Sequence, residues 1–176
     1  TVLALLQTTT LYKIVVTVHI LCAIVGIGTM VLNGVYGAVA KKRPAAEGSA
    51  IVDANYTVSM IAEKFIYALF VTGVIAVLVS KDAVQFETTW VWLSTVLYVA
   101  AIGISHAVTL PAARSTKQLL AEVAADPAKG AEHGPELGRL DKRLAASSSA
   151  LHLLAAVIVV LMVLDRKSTR LNSSHT

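Results

Sequence analysis

The chain has 176 residues, of which 56% are hydrophobic and 15% charged, with a formal net charge of +4 and a mean hydropathy of +0.70. This composition excludes a disordered chain and disfavours a water-soluble globule. The charge is a topology signal rather than a nucleic-acid one, and the lone cysteine, Cys22, rules out an intramolecular disulfide.

Four apolar stretches follow one another: Leu11–Ala40, Thr57–Ser80, Thr88–Pro111 and Ser147–Leu164. Each approaches or exceeds the ~20 residues that a helix needs to cross ~30 Å of hydrocarbon. They are apolar nearly all round, whereas a helix on a soluble core keeps a polar face. Lipid offers no hydrogen bonds to an open backbone, so spans must be helices or a closed barrel. Barrel strands would alternate in polarity, and runs such as Ile66–Val79 do not. The expected fold is all-α: one four-span domain over residues 1–164, an antiparallel up-down bundle. Helices 3 and 4 are expected to extend beyond the membrane.

The first span carries a small-residue face at helical spacing: His19, Cys22, Ala23, Gly26, Met30, Asn33 and Gly37. Small residues let helices approach closely in lipid, so this face is expected to look inward. The residues 41–56 that follow read as a loop. The second loop, Lys81–Glu87, is short, making spans 2 and 3 antiparallel neighbours. Trp90 and Trp92 suit an interfacial aromatic belt. After span 3 comes a longer polar segment, residues 112–146. Within it Ser115–Ala125 has a helical pattern, Asp126-Pro127 and Lys129-Gly130 break it, and Pro135 suits the first turn of a helix running into span 4.

Lys and Arg near the span ends orient the chain. Lys41, Lys42, Arg43, Lys64, Arg114, Lys117, Lys129, Arg139, Lys142 and Arg143 fall on one side, against Lys13 and Lys81 on the other. That asymmetry puts residues 41–56 and 112–146 in the cytoplasm and both termini outside, in a bacterial inner membrane. The start at Thr1 reads as that of an N-terminal fragment. The tail Asp165–His175 resembles, residue for residue, the translation of a common sequencing adapter, so residues 165–176 read as non-native.

Ionisable groups at membrane depth are costly and mark candidate sites. At ~1.5 Å per residue, Asn33, Glu63, His106 and His152 share a depth of roughly 8 Å inside the cytoplasmic edge. One comes from each span. Two readings stand side by side. In one, His106 and His152 share a haem iron or a metal, and Glu63 orients a ligand or relays a proton. In the other, these groups hydrogen-bond to one another and to loop backbone and fix packing. Lys64, next to Glu63, points elsewhere and can snorkel to lipid phosphates.

His19 stands apart, about 9 Å below Lys13 by helical rise, with Ser94 and Thr95 as partners at its level. It is either a neutral His bonded to a hydroxyl, or a single axial ligand to a haem or a metal ligand. His133 reads as a solvated loop residue. Gly26-Ile27-Gly28 follows no strand and is not a nucleotide fingerprint, and no CxxC, HExxH, Walker or GxSxG pattern occurs.

The run LYKIVVTVHILCAIVGIGTMVL, with Thr72-Gly73, Trp90–Tyr98 and Leu110-Pro111, resembles an uncharacterised family of four-span predicted integral membrane proteins of unknown function. The likeness covers most of Leu11–Leu164. More distantly, the pattern is similar to the copper-resistance membrane protein D family and to the bacterial four-span protoporphyrinogen oxidase. The resemblance implies a role for the span-1 His, which is His19 here, in haem-linked or copper chemistry. The oxidase has a Lys three residues before that His, whereas Lys13 stands six before. Three functions are consistent with this sequence: a membrane protein binding haem b or copper through His19, or through His106 and His152; a non-enzymatic subunit or assembly factor with a membrane partner or a second copy; and a small proton-coupled transporter using Glu63.

Overall fold

The computed structural model of the chain describes residues 2–80 and 88–172, with side chains over 10–80 and 88–163. The expected short loop with Lys81 lies outside the described residues, as do the end of the tail and the side chains of 164–172. Every described element is helical: α1 Val2–Ala40, α2 Ala45–Val79, α3 Thr89–Ile104, a π-turn Ser105–Thr109, α4 Leu110–Ala125, a 3-10 turn Pro127–Lys129 and α5 Gly130–Asn172. Among the described residues, four continuous helical stretches are long and apolar enough to span a bilayer: Thr10–Ala40, Ala45–Val79, Thr89–Ala125 and Pro127–Val163, with mean hydropathies of 2.4, 1.9, 1.7 and 2.2.

Only 6–11% of each apolar window is buried within the chain. The buried set is made mostly of small side chains, among them Cys22, Ala40, Ala62, Ser94, Ala112 and Ser147, while Ile24, Leu78 and Leu153 are well exposed. A soluble protein with this surface would aggregate; in lipid it is the solvated face. The packing is therefore backbone-close contact along small residues, as expected where lipid removes the hydrophobic drive between helices.

The chain divides into two compact units, one of residues 1–28, 62–98 and 155–176, the other of 29–61 and 99–154. In the first, α1 and α2 run antiparallel, with His19 against Thr72 and Gly26 against Ile66. The Tyr98 hydroxyl donates to the Ile66 carbonyl at 2.8 Å and its ring stacks on Phe70 at 5.0 Å, which joins α3 to α2. In the second unit the same antiparallel sense recurs in three seams. Asn33 meets Ser59; Asp53 and Tyr56 meet Lys117 and Arg114; and Met30 and Lys41 meet His152 and Asp141.

The small-residue face of α1 is placed as expected: Cys22 and Gly26 are buried and His19, Ala23, Met30, Asn33 and Gly37 half-buried, while Val18, Leu21, Val25 and Leu32 are exposed.

Three expectations need correction. Residues 41–56 are not a loop. The chain turns over residues 41–44 and α2 starts at Ala45, because Glu47 and Asp53 mark where lipid ends and carry no signal to end a helix. The fourth helix begins at Gly130, five residues before Pro135, which lies inside it; a proline near the start of a helix sacrifices one backbone bond at most. The third apolar stretch is not one α-helix. The Leu110 amide reaches back to the Ser105 carbonyl. Pro111 crowds the carbonyl four residues before it and cannot donate, and a widened turn relieves that clash.

A methyl group added at Gly26 would stand 2.9 Å from Ile66 Cγ1, whereas one at Gly28 would meet nothing within 4 Å. We expect Gly26→Leu to lower stability in detergent by ~1–3 kcal/mol through overpacking, and Gly28→Leu, one half-turn away, to leave the thermal midpoint unchanged. Equal shifts for the two variants would show that the α1–α2 seam is misplaced.

Candidate functional site

The first unit holds His19, a polar group within an apolar span. His19 Nδ1 lies 3.1 Å from Thr72 Oγ1. The Thr72 hydroxyl has one proton, and its nearest acceptor is the Ala68 carbonyl at 2.7 Å, with the Leu69 carbonyl at 3.1 Å. A threonine inside a helix normally bonds back this way. With that proton committed, the hydroxyl can only accept from His19, so Nδ1 carries the ring hydrogen. Nε2 is then the nitrogen with the lone pair.

Why the sequence builds this locally is plain from Gly73. A Cβ there would stand 3.1 Å from His19 Cε1, so the absence of a side chain lets the imidazole lie against α2. Cys22, one helical turn on from His19, is buried with a free thiol. Ser94 of the same unit is buried, and its hydroxyl has no partner among the described residues. Ser94 and Thr95 are not the hydroxyls that His19 uses: Thr95 donates to its own Val91 carbonyl at 2.8 Å, and the partner comes from α2 instead. The His19 ring is thus held at Nδ1 by the Thr72 hydroxyl.

The residues expected to form a layer lie on different elements: Asn33 on α1, Glu63 on α2, His106 on the π-turn and His152 on α5. In the first unit, Glu63 accepts from the Tyr67 hydroxyl one turn along α2. In the second, the Ser59 hydroxyl bonds the Asn55 carbonyl at 2.7 Å and faces Asn33 Oδ1 at 3.2 Å. His152 Nε2 lies 3.1 Å from the Met30 carbonyl. A carbonyl only accepts, so that nitrogen is the donor and is engaged in tying α5 to α1. His106 sits on the π-turn and is exposed. Lys64 is exposed as well.

His133 is not a solvated loop residue. It belongs to α5, and its Nε2 lies 3.2 Å from Glu122 Oε2, where Lys129 Nζ also bonds at 3.3 Å. The turn at Asp126–Lys129 folds α5 back beside α4, and these contacts close that hairpin. The Asp126 side chain caps it by accepting from the Ala128 amide at 3.1 Å.

Two features escaped sequence reasoning. Thr72 and Gly73 were legible only as part of a family likeness, although a threonine amid Leu, Phe, Val and Ile is a candidate hydrogen-bond partner for any buried histidine. The cluster of Asp53, Tyr56, Arg114 and Lys117 also escaped, although both pairs have the i, i+3 spacing that puts two side chains on one helix face.

The fold and these contacts define the class: an all-helical integral membrane protein with four membrane-length apolar helices and an intramembrane histidine held by a neighbouring helix. The chain belongs to the family described as predicted integral membrane protein (DUF2269), whose model matches residues 13–166. No curated protein matches the chain, and no solved structure does.

Proposed function

We propose that this protein binds haem within the membrane, with His19 Nε2 as the axial ligand from the chain. The observation that carries this reading is the 3.1 Å contact of His19 Nδ1 with a hydroxyl whose own proton is committed to Ala68. Ligating histidines are characteristically fixed by a hydrogen bond at the other ring nitrogen, which sets the tautomer and aims the lone pair. The donor set favours haem over a bare copper ion. Among the described residues no three His, Cys, Asp or Glu side chains are grouped for metal binding, and a porphyrin supplies four nitrogens of its own. His152 is the weaker candidate because its Nε2 is already engaged with Met30.

Protein purified from haem-replete cells should show a Soret band. His19→Ala should abolish it, Thr72→Val should weaken haem retention about tenfold, and His152→Ala should leave the band in place. A colourless wild-type preparation, or a band that survives His19→Ala, would reject the proposal.

The proposal places the Lys- and Arg-rich ends of the spans in the cytoplasm and both termini outside, in a bacterial inner membrane. Its support is the charge asymmetry of the sequence. In a Cys22→Ser background, Lys142→Cys should react with an impermeant maleimide only in opened cells. Labelling of intact cells would invert the topology.

A further inference from the structure

The second unit carries a polar cluster where two apolar stretches end. Tyr56 immediately precedes the second stretch, and Arg114 follows Pro111, the last residue of the third. Arg114 Nε donates to the Tyr56 hydroxyl at 3.4 Å. Lys117, one turn along α4, places its Nζ 5.0 Å from the centre of the Tyr56 ring and 2.6 Å from Asp53 Oδ1. Four side chains from two helices therefore hold one another in place.

The charges in this cluster do not cancel. Asp53 offsets Lys117. Among the described residues no carboxylate pairs with Arg114, and its single partner is a neutral phenol. Arg114 is exposed, so the guanidinium nitrogens other than Nε present their hydrogens outward. The Tyr56 oxygen accepts from Arg114, which leaves the phenol's own hydrogen to donate. The cluster thus offers a net positive charge and neighbouring donors on Arg114 and Tyr56, with Lys117 seated over the Tyr56 ring. That is the donor pattern that recognises the oxygens of a phosphate group. Its position at the end of the apolar stretches is the depth at which lipid phosphates lie.

We propose that Arg114 and Tyr56, braced by Lys117 and Asp53, bind a phosphate group, supplied by the headgroup of an anionic phospholipid or by free phosphate. The site is independent of His19 and of haem.

The full chain in an uncharged detergent tests this, with thermal unfolding followed while phosphatidylglycerol, phosphatidylcholine or inorganic phosphate is added. A rise with phosphatidylglycerol but neither of the others identifies a lipid headgroup; a rise with inorganic phosphate alone identifies the free anion. Arg114→Gln should raise the concentration for half-maximal stabilisation by roughly tenfold. Tyr56→Phe keeps the ring that seats Lys117 and should weaken binding less, so it serves where Arg114→Gln unfolds. Lys142→Gln, an exposed cation outside the cluster, should bind as wild type does. The proposal fails if neither phosphate source stabilises the protein. It also fails if Tyr56→Phe and Arg114→Gln both respond as wild type does, or if Lys142→Gln loses as much as Arg114→Gln.

Discussion

Lipid supplies no hydrogen-bond partner, and each polar group taken into it must find one in the chain. Much of this protein follows from that constraint. Backbone groups are satisfied within four long helical stretches. The hydroxyls of Thr72, Thr95 and Ser59 bond back to their own helix, whereas that of Ser94 has no partner among the described residues. Side chains that cannot close a bond within their own helix reach across to another, as His19 does to Thr72 and His152 to the Met30 carbonyl. Because lipid also removes the hydrophobic drive between helices, these contacts and the close approach at Gly26 carry the association of α1 with its neighbours.

The same constraint makes His19 chemically distinctive. A hydroxyl already donating to its helix is a pure acceptor, so it selects one imidazole tautomer. His152 faces a carbonyl through the other nitrogen and is selected in the opposite sense. Two histidines in similar apolar surroundings therefore differ in what they can do. One carries its lone pair on Nε2, and the other uses Nε2 as a structural tie.

Much of the fold was legible in the sequence because hydropathy and helical spacing are local. The four spans, the inward face of α1 and the break at Asp126–Lys129 all follow from residue type and period. Helix length was not legible at Ala45, because the boundary between lipid and water changes composition without stopping a helix. The π-turn at Ser105–Thr109 was not anticipated, although Pro111 announces that the regular bonding pattern must give way nearby. At the candidate site His19 could be singled out from depth alone. Its partner could not, because choosing Thr72 over Ser94 and Thr95 requires the rotation of each helix, which sequence periodicity leaves open among apolar residues. His133 failed for a related reason. Its neighbour Glu122 is brought close only once the hairpin folds back.

The tautomer of His19 is the pivot of this account, and nitrogen-15 NMR of histidine-labelled protein in lipid bilayers reads it directly. The account predicts a protonated Nδ1 and an Nε2 without hydrogen, with the signal lost or shifted in Thr72→Val. A His19 resonance showing hydrogen on Nε2 and a bare Nδ1 would contradict it.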